Sequence, residues 1–193
     1  FIDINRGKNV NAVFPHFYRK YKLELRQADG LFYTMDDNLI NLNILNNYRN
    51  DKIIYYTAKL DEIDNLNNQQ LNFKKGGRND LKVLMEESLI KNNKISKICV
   101  CFADFFYLPQ KYLSQNLFDI FELFSKYNIF LEISIPSIIN NLERSINNYN
   151  YFDSLILWGE NRKEFKSYHY VKDAILKKHN LIIHPIKFKN NPK

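Results

Sequence analysis

The sequence predicts an α/β domain built on a mixed sheet, and three observations carry that prediction. Short runs of bulky and β-branched residues recur at 31–35, 52–58, 98–108, 154–158 and 181–183. Between them lie stretches whose apolar residues are spaced by three or four, the period of a half-buried helix. No repeat or composition break divides residues 1–193, so they read as a single domain in which strands and helices alternate.

Taken in order, the first thirty residues are mixed, with Gly7 and Pro15 as punctuation and an aromatic group at Phe14, Phe17, Tyr18 and Tyr21. The run Leu31-Phe32-Tyr33-Thr34-Met35 has strand composition and stops abruptly at Asp36-Asp37-Asn38. Leu39, Leu42 and Leu45 follow at helical spacing, which makes Asp37 or Asn38 the expected N-cap. Residues 52–58 predict a second strand, and the polar stretch 61–77, ending in Gly76-Gly77-Arg78, predicts a surface loop. Asn79 or Asp80 is placed to cap a helix reaching Lys91, with Leu81, Leu84 and Met85 on its buried face.

Residues 98–108 predict a strand around Asp104. The strongest amphipathic pattern lies over 112–127, where Leu113, Leu117, Phe121 and Phe124 share one face. Residues 129–133 are apolar except for Glu132, and beyond Pro136 the residues Ile138, Ile139 and Leu142 predict a helical turn or more. A strand over 154–158, a helix over 166–178 and a final strand over 181–183, stopped by His184-Pro185, complete the expected order.

Composition bounds the function. Hydrophobic residues make up 45% of the chain, too many for a disordered one. The formal charge of +7 favours an anionic partner, which leaves nucleic acid, a membrane surface and a nucleotide diphosphate open. Apart from Lys177, Lys178, Lys187, Lys189 and Lys193 the cations are scattered, as on an ordinary solvated surface. Cys99 and Cys101 alternate along an apolar run and read as buried thiols rather than a disulfide or zinc site. There is no signal peptide and no apolar span of transmembrane length. The chain begins at Phe1, which leaves room for a removed leader or an upstream domain.

Among residues suited to chemistry, Asp36 and Asp37 come first. A strand that delivers adjacent carboxylates at its carboxyl end puts negative charge where α/β sheets usually bind ligands. Mg²⁺ and Mn²⁺ take oxygen donors, and are commonly held by one or two carboxylates plus the phosphates of a substrate. The same residues are equally good helix-capping chemistry, so both readings stand. His184, between an apolar strand and Pro185, is a candidate metal ligand or a half-buried structural histidine. Glu132 and Asp104 sit among apolar neighbours, where a carboxylate needs a partner or a raised pKa. That makes each a general-base candidate or a buried anchor. Asp36, Lys187 and Arg162 are the candidates for holding a phosphorylated cofactor or donor, while Glu160 with Arg162 also suits a surface ion pair. Trp158 is suited to sugar stacking or to the core. The chain has no dinucleotide fingerprint, P-loop, nucleophile elbow, HExxH or paired CxxC, and its aromatics form no RNA-stacking signature.

Four segments, in order, resemble the STELLO-like glycosyltransferases and their invertebrate and microbial relatives. They are ADGLFYTMDDNLINLNIL (28–45), ADFFYLPQKYLSQNLFDIF (103–121), FLEISIPSII (130–139), and LWGENR (157–162) with IIHPIKF (182–188). The resemblance implies a layered α/β/α domain of GT-A type, a nucleotide-sugar donor, a glycan or protein acceptor and a divalent cation, Mn²⁺ or Mg²⁺. Carried onto this chain, Asp36 and Asp37 match the metal and diphosphate motif, and His184 stands where such folds often supply a late metal contact. Asp104 and Glu132 fall in the part expected to face the acceptor, one of them as base if the enzyme inverts. Only 35 residues precede the acidic motif, where the family carries a nucleotide-binding half. The resemblance therefore implies an N-terminally incomplete GT-A domain: a fragment, a domain whose first half sits on a separate chain, or a reduced, inactive protein; a homo-oligomer or an upstream domain is the partner this leaves open. Asn43 stands where the family tends to have an aromatic.

Two readings from other classes remain beside it. One is a basic nucleic-acid-binding or ribosome-associated subunit, and the other is a degenerate glycosyltransferase acting as an interaction module. The two thiols are compatible with a cytoplasmic location and with a Golgi or secretory lumen alike.

Overall fold

The computed structural model describes residues 10–35, 38–56, 61–62, 78–90, 95–143, 145–152, 154–156, 172–173 and 180–184. Among these the chain is a mixed α/β structure with six α-helices and a four-stranded mixed sheet. The helices are α1 (Val10–Lys20), α2 (Lys22–Gln27), α3 (Leu42–Leu45), α4 (Arg78–Ile90), α5 (Gln115–Lys126) and α6 (Leu131–Leu142). The strands are β1 (Gly30–Thr34), β2 (Leu39–Ile40), β3 (Ile53–Tyr55), β4 (Asp61–Glu62), β5 (Cys99–Val100), β6 (Phe105–Pro109), β7 (Tyr149–Tyr151), β8 (Ser154–Ile156) and β9 (Ile182–His184).

The larger sheet runs β1-β6-β3-β7, with β6 antiparallel to both β1 and β3, and β3 parallel to β7. A second sheet runs β2-β9-β8, and β4 pairs with β5 alone. Alternation along the strands explains why the larger sheet is covered on both faces. Ile53, Tyr55, Phe106 and Leu108 point into a core completed by α1, α4, α5 and α6. Their neighbours Ile54 and Phe105 point the other way, against Phe152, Leu181 and Ile182. A strand whose residues are apolar on both faces is the expected result of such double cover.

At the rim of the sheet, the Tyr107 ring lies over Gly30, and its hydroxyl is 2.9 Å from the carbonyls of both Asp29 and Asn50. A Cβ at position 30 would meet that ring at 2.5 Å and the Leu108 carbonyl closer still, so only glycine fits under the tyrosine.

Several elements differ from the sequence reading, each for a local reason. The mixed opening stretch is helical: Val10, Phe14 and Tyr18 recur every four residues and are buried, with Pro15 inside α1. Helix α3 is capped by Asn41, whose side chain accepts from the Asn43 amide at 3.2 Å. Asp37 and Asn38 are therefore too early to cap it, and Leu39-Ile40 pairs with β9 as a strand. The expected strand over 98–108 is two strands in two sheets, with Asp104 in the break between them. Helix α4 starts at Arg78, which puts Asn79 and Asp80 inside its first turn. Helix α5 begins later than its apolar pattern, where Ser114 accepts from the Leu117 amide at 3.3 Å. Asp61 and Glu62, expected in a loop, pair with β5.

Helix α6 spans the whole of 131–142, Pro136 included, and takes the place of a strand partner for the segment leading into β5. Asn141 accepts from the Ser96 amide at 2.9 Å and donates to the Lys97 carbonyl at 2.9 Å. Ser137 accepts from the Cys99 amide at 2.9 Å. Helix α6 is fastened to α1 by Ser134, which donates to Asn11 at 2.7 Å, while Asn11 donates to the Ile129 carbonyl at 2.8 Å. Both side chains are buried, so each needs these bonds. Neither Cys99 nor Cys101 forms a disulfide. Among the described residues no helix is long and apolar enough to cross a membrane.

Candidate functional site

Three chain segments meet where β1 ends, β6 begins and β9 ends. Their centre is Asp104. Its carboxylate Oδ2 lies 3.0 Å from Nε2 of His184, an ion-pair distance without hydrogen-bond alignment, with the two side chains 16% and 4% exposed. A carboxylate and an imidazole this far from water interact more strongly than the same pair at a surface. His184 also meets the Phe102 ring edge-on, centroids 5.3 Å apart.

The backbone of Asp104 is held from the other side. Its carbonyl accepts the Met35 amide at 3.0 Å, one step beyond the Thr34–Phe105 pair of the β1–β6 ladder. The same carbonyl accepts Nδ2 of Asn38 at 2.7 Å, and Nδ2 also donates to the Thr34 hydroxyl oxygen at 2.9 Å. The Asn38 amide donates to the Met35 carbonyl at 3.3 Å. The residues that flank Asp36 and Asp37 in the chain are thus both bonded to Asp104.

Tyr55 supports the break from beneath. It is fully buried, and its hydroxyl donates to the Phe102 carbonyl at 2.8 Å. Burial pushes its phenol well above the usual tyrosine range, and Cys101, Cys99 and Asp104 nearby add to the rise. The sequence reading missed this residue. Its signal was a phenol at an inward position of the KIIYYTA alternation, where a hydroxyl needs a partner.

Glu132 stands half-buried in the first turn of α6, and its main-chain carbonyl accepts the Cys101 amide at 3.0 Å. The structure therefore brings Asp104 and His184 into contact and ties Glu132 to the same break through its backbone. Asp36, Asp37, Arg162 and Lys187 lie outside the described residues, as do Trp158, Glu160, the segment Gly76-Gly77 and the lysines of the C-terminal end. Of the helix expected over 166–178, Lys172 and Asp173 are described and helical. Within β8, Ile156 pairs with His184.

Among the described residues, no three His, Cys, Asp or Glu side chains converge to hold a metal ion. Asp104 and His184 supply two groups. One further oxygen is notable: Oδ1 of Asn38 is buried and has no hydrogen-bond partner among the described residues. Compared with family models, with curated proteins and with solved structures, the chain matches none of them.

Proposed function

We propose that the chain belongs to a metal-dependent glycosyltransferase of layered GT-A type, moving a sugar from a nucleoside diphosphate to a glycan or protein acceptor. The observation that carries the reading is the convergence on Asp104. The four segments that resemble the STELLO-like enzymes are far apart in sequence. Yet Asn38, Asp104, His184 and the Glu132 carbonyl all attach to residues 101–104 or to one another. An additional support is the cap of α3. With Asn41 in that role, the bland use of Asp36-Asp37 as a helix start loses its object.

The donor set fits a divalent cation in kind. Asp36 and Asp37 would offer carboxylate oxygens, His184 an imidazole nitrogen, and the buried Asn38 oxygen has no competing donor among the described residues. One imidazole among oxygens favours Mn²⁺ over Mg²⁺. When bound, such a cation would offset the negative charge that develops on a leaving diphosphate. In this reading Asp104 is the residue that orients His184, as carboxylates commonly orient metal-binding histidines. That assignment leaves Glu132 as the candidate base toward the acceptor. Lys187 and Arg162 are the candidate contacts to the phosphates.

Thermal unfolding tests the reading. Mn²⁺ together with a UDP- or GDP-sugar is expected to raise the Tm of the wild type, and the Asp36→Ala/Asp37→Ala variant is expected to lose that rise. A wild-type Tm indifferent to every such pair would overturn it. Salt-sensitive RNA binding with a steep slope would move the chain to the nucleic-acid class instead.

A further inference from the structure

We infer that Asn38 is a positioning residue: its side-chain amide clamps the Asp104 main-chain carbonyl and so holds the Asp104 carboxylate against His184. The inference rests on the site described above and deepens it, but its core needs no ligand.

The three residues come from three distant parts of the chain and form a closed triangle. The first side is Asn38 to Asp104, where Nδ2 meets the carbonyl at 2.7 Å. The second is Asp104 to His184, where Oδ2 meets Nε2 at 3.0 Å. The third is the backbone register. Leu39 pairs with Ile183 and Ile40 with Ile182 in an antiparallel ladder, so one step further Asn38 comes level with His184. A shift at any corner is felt at the other two.

Chemistry explains why an asparagine stands at that corner. Nδ2 carries two hydrogens, and two acceptors wait for them: the Asp104 carbonyl and the Thr34 hydroxyl oxygen. The Thr34 hydroxyl in turn lies 3.3 Å from the Met35 carbonyl, to which it donates, so its lone pairs are available to Asn38. Reversing the amide would set Oδ1 against the Asp104 carbonyl, two acceptors face to face. Aspartate, equal in size, carries that same conflict and adds a charge. Asp104 needs the clamp because residues 101–104 belong to no strand, and the chain joins the larger sheet only at Phe105. Met35 fixes the same carbonyl from the ladder side, and Asn38 fixes it from the side of β9.

The test reads His184 directly, in the full chain without added metal. Long-range ¹H–¹⁵N spectra at fixed pH report which ring nitrogen carries the proton. In the wild type the Asp104 carboxylate, 3.0 Å from Nε2, is expected to bias the proton toward that nitrogen. Asn38→Ala and Asn38→Asp are each expected to give a mixed or reversed tautomer population, while Asn38→Ser, which keeps a shorter donor, restores part of the wild-type signal. Asn128→Ala, in the turn between α5 and α6, serves as a variant of lowered stability and is expected to leave the His184 spectrum unchanged. A wild-type-like His184 spectrum in folded Asn38→Ala would overturn the inference, and so would the same loss in Asn128→Ala. If Asn38→Ala does not fold, Asn38→Ser decides alone: an unaltered spectrum overturns the clamp, and a partial shift supports it. The Mn²⁺ titration is run in parallel, where Asn38→Ala is expected to weaken binding tenfold or more. Absence of Mn²⁺ binding in the wild type would sink the glycosyltransferase reading while the tautomer result still stands for the triangle.

Discussion

The Cys101 amide donates to the main-chain carbonyl of Glu132 at 3.0 Å, the one carbonyl of α6 that Pro136 leaves without a helical donor. Proline inside a helix ordinarily wastes an acceptor and costs about 3 kcal/mol. Here the acceptor is used by the strand break that carries Asp104. Pro136→Ala should therefore fail to give the gain of about 3 kcal/mol that removing an interior proline normally brings. We expect a change within about 1 kcal/mol of zero, since the unfolded chain also gains freedom. Urea unfolding of the pair of proteins measures it, and a gain near the full value would show that the Cys101 bond contributes little.

The contact between Asp104 and His184 predicts an asymmetry between two substitutions. Asp104→Ala removes the carboxylate from a nearly buried imidazole, and losing a partner in the interior costs about 1–3 kcal/mol. Asp104→Asn keeps the shape and the polar contact, and is expected to cost half of that or less. Guanidinium midpoints for both variants, with the slope unchanged, test the order. Equal losses would mean that packing rather than polarity holds the pair.

Much of this fold is legible in the sequence, and the failures share a cause. Strands β1, β3 and β9 and helix α5 follow from apolar period alone, because each buries a regular face. The helix α1 was hidden by Pro15, although Val10, Phe14 and Tyr18 already gave a four-residue spacing. The break at Asp104 was not readable from composition, since residues on both sides are equally apolar. Only pairing distinguishes β5, held by α6 and β4, from β6 in the main sheet. At the site, Asp104 and His184 were each identifiable as polar groups in apolar surroundings, and their contact was not. A contact between residues eighty apart depends on register, here the ladders that bring β9 and β6 to a common end. For the same reason the sequence suggests a cap at Asn38: a local role is visible in it, and a bond to residue 104 is not.

Alkaline pH should destabilise the chain through buried Tyr55 and half-buried Tyr112 and Tyr149. Burial raises the phenols of Tyr55, Tyr149 and Tyr112 above the usual range, and the hydrogen bond to Glu143 adds to the rise at Tyr112. In the unfolded chain all three would titrate near about 10. A raised native value means that the folded state keeps protons the unfolded state loses. Their contribution is therefore complete below about pH 10 and declines as pH climbs beyond it, by at most about 1.4 kcal/mol per pH unit for each group. Urea midpoints between pH 8 and 11.5 should be flat at first and then fall. Tyr55→Phe, which cannot ionise, should shallow that fall while losing some stability at neutral pH with the bond to the Phe102 carbonyl. A midpoint that falls steadily from pH 8 would point to some other group.

Asn128 closes α5, and its backbone explains what its side chain must tolerate. It has φ of 52°, the left-handed region, and the Asn128 amide donates to the Ser125 carbonyl at 2.9 Å. The next amide, Ile129, reaches back to the Phe124 carbonyl at 3.1 Å, which completes a Schellman end. This turn sets the direction in which the chain enters α6, and the Ile129 carbonyl is the acceptor for buried Asn11. Asparagine accepts the left-handed region more readily than other residues with a Cβ, for which it costs about 1–2 kcal/mol. Asn128→Ala is therefore expected to lower stability by about 1 kcal/mol, and Asn128→Gly to leave it equal or slightly raised because glycine is the usual residue there. Thermal melts of the three proteins order them as glycine, asparagine, alanine. An alanine variant as stable as the wild type would mean that the turn relaxes to another closure, and the entry angle of α6 would then need another source.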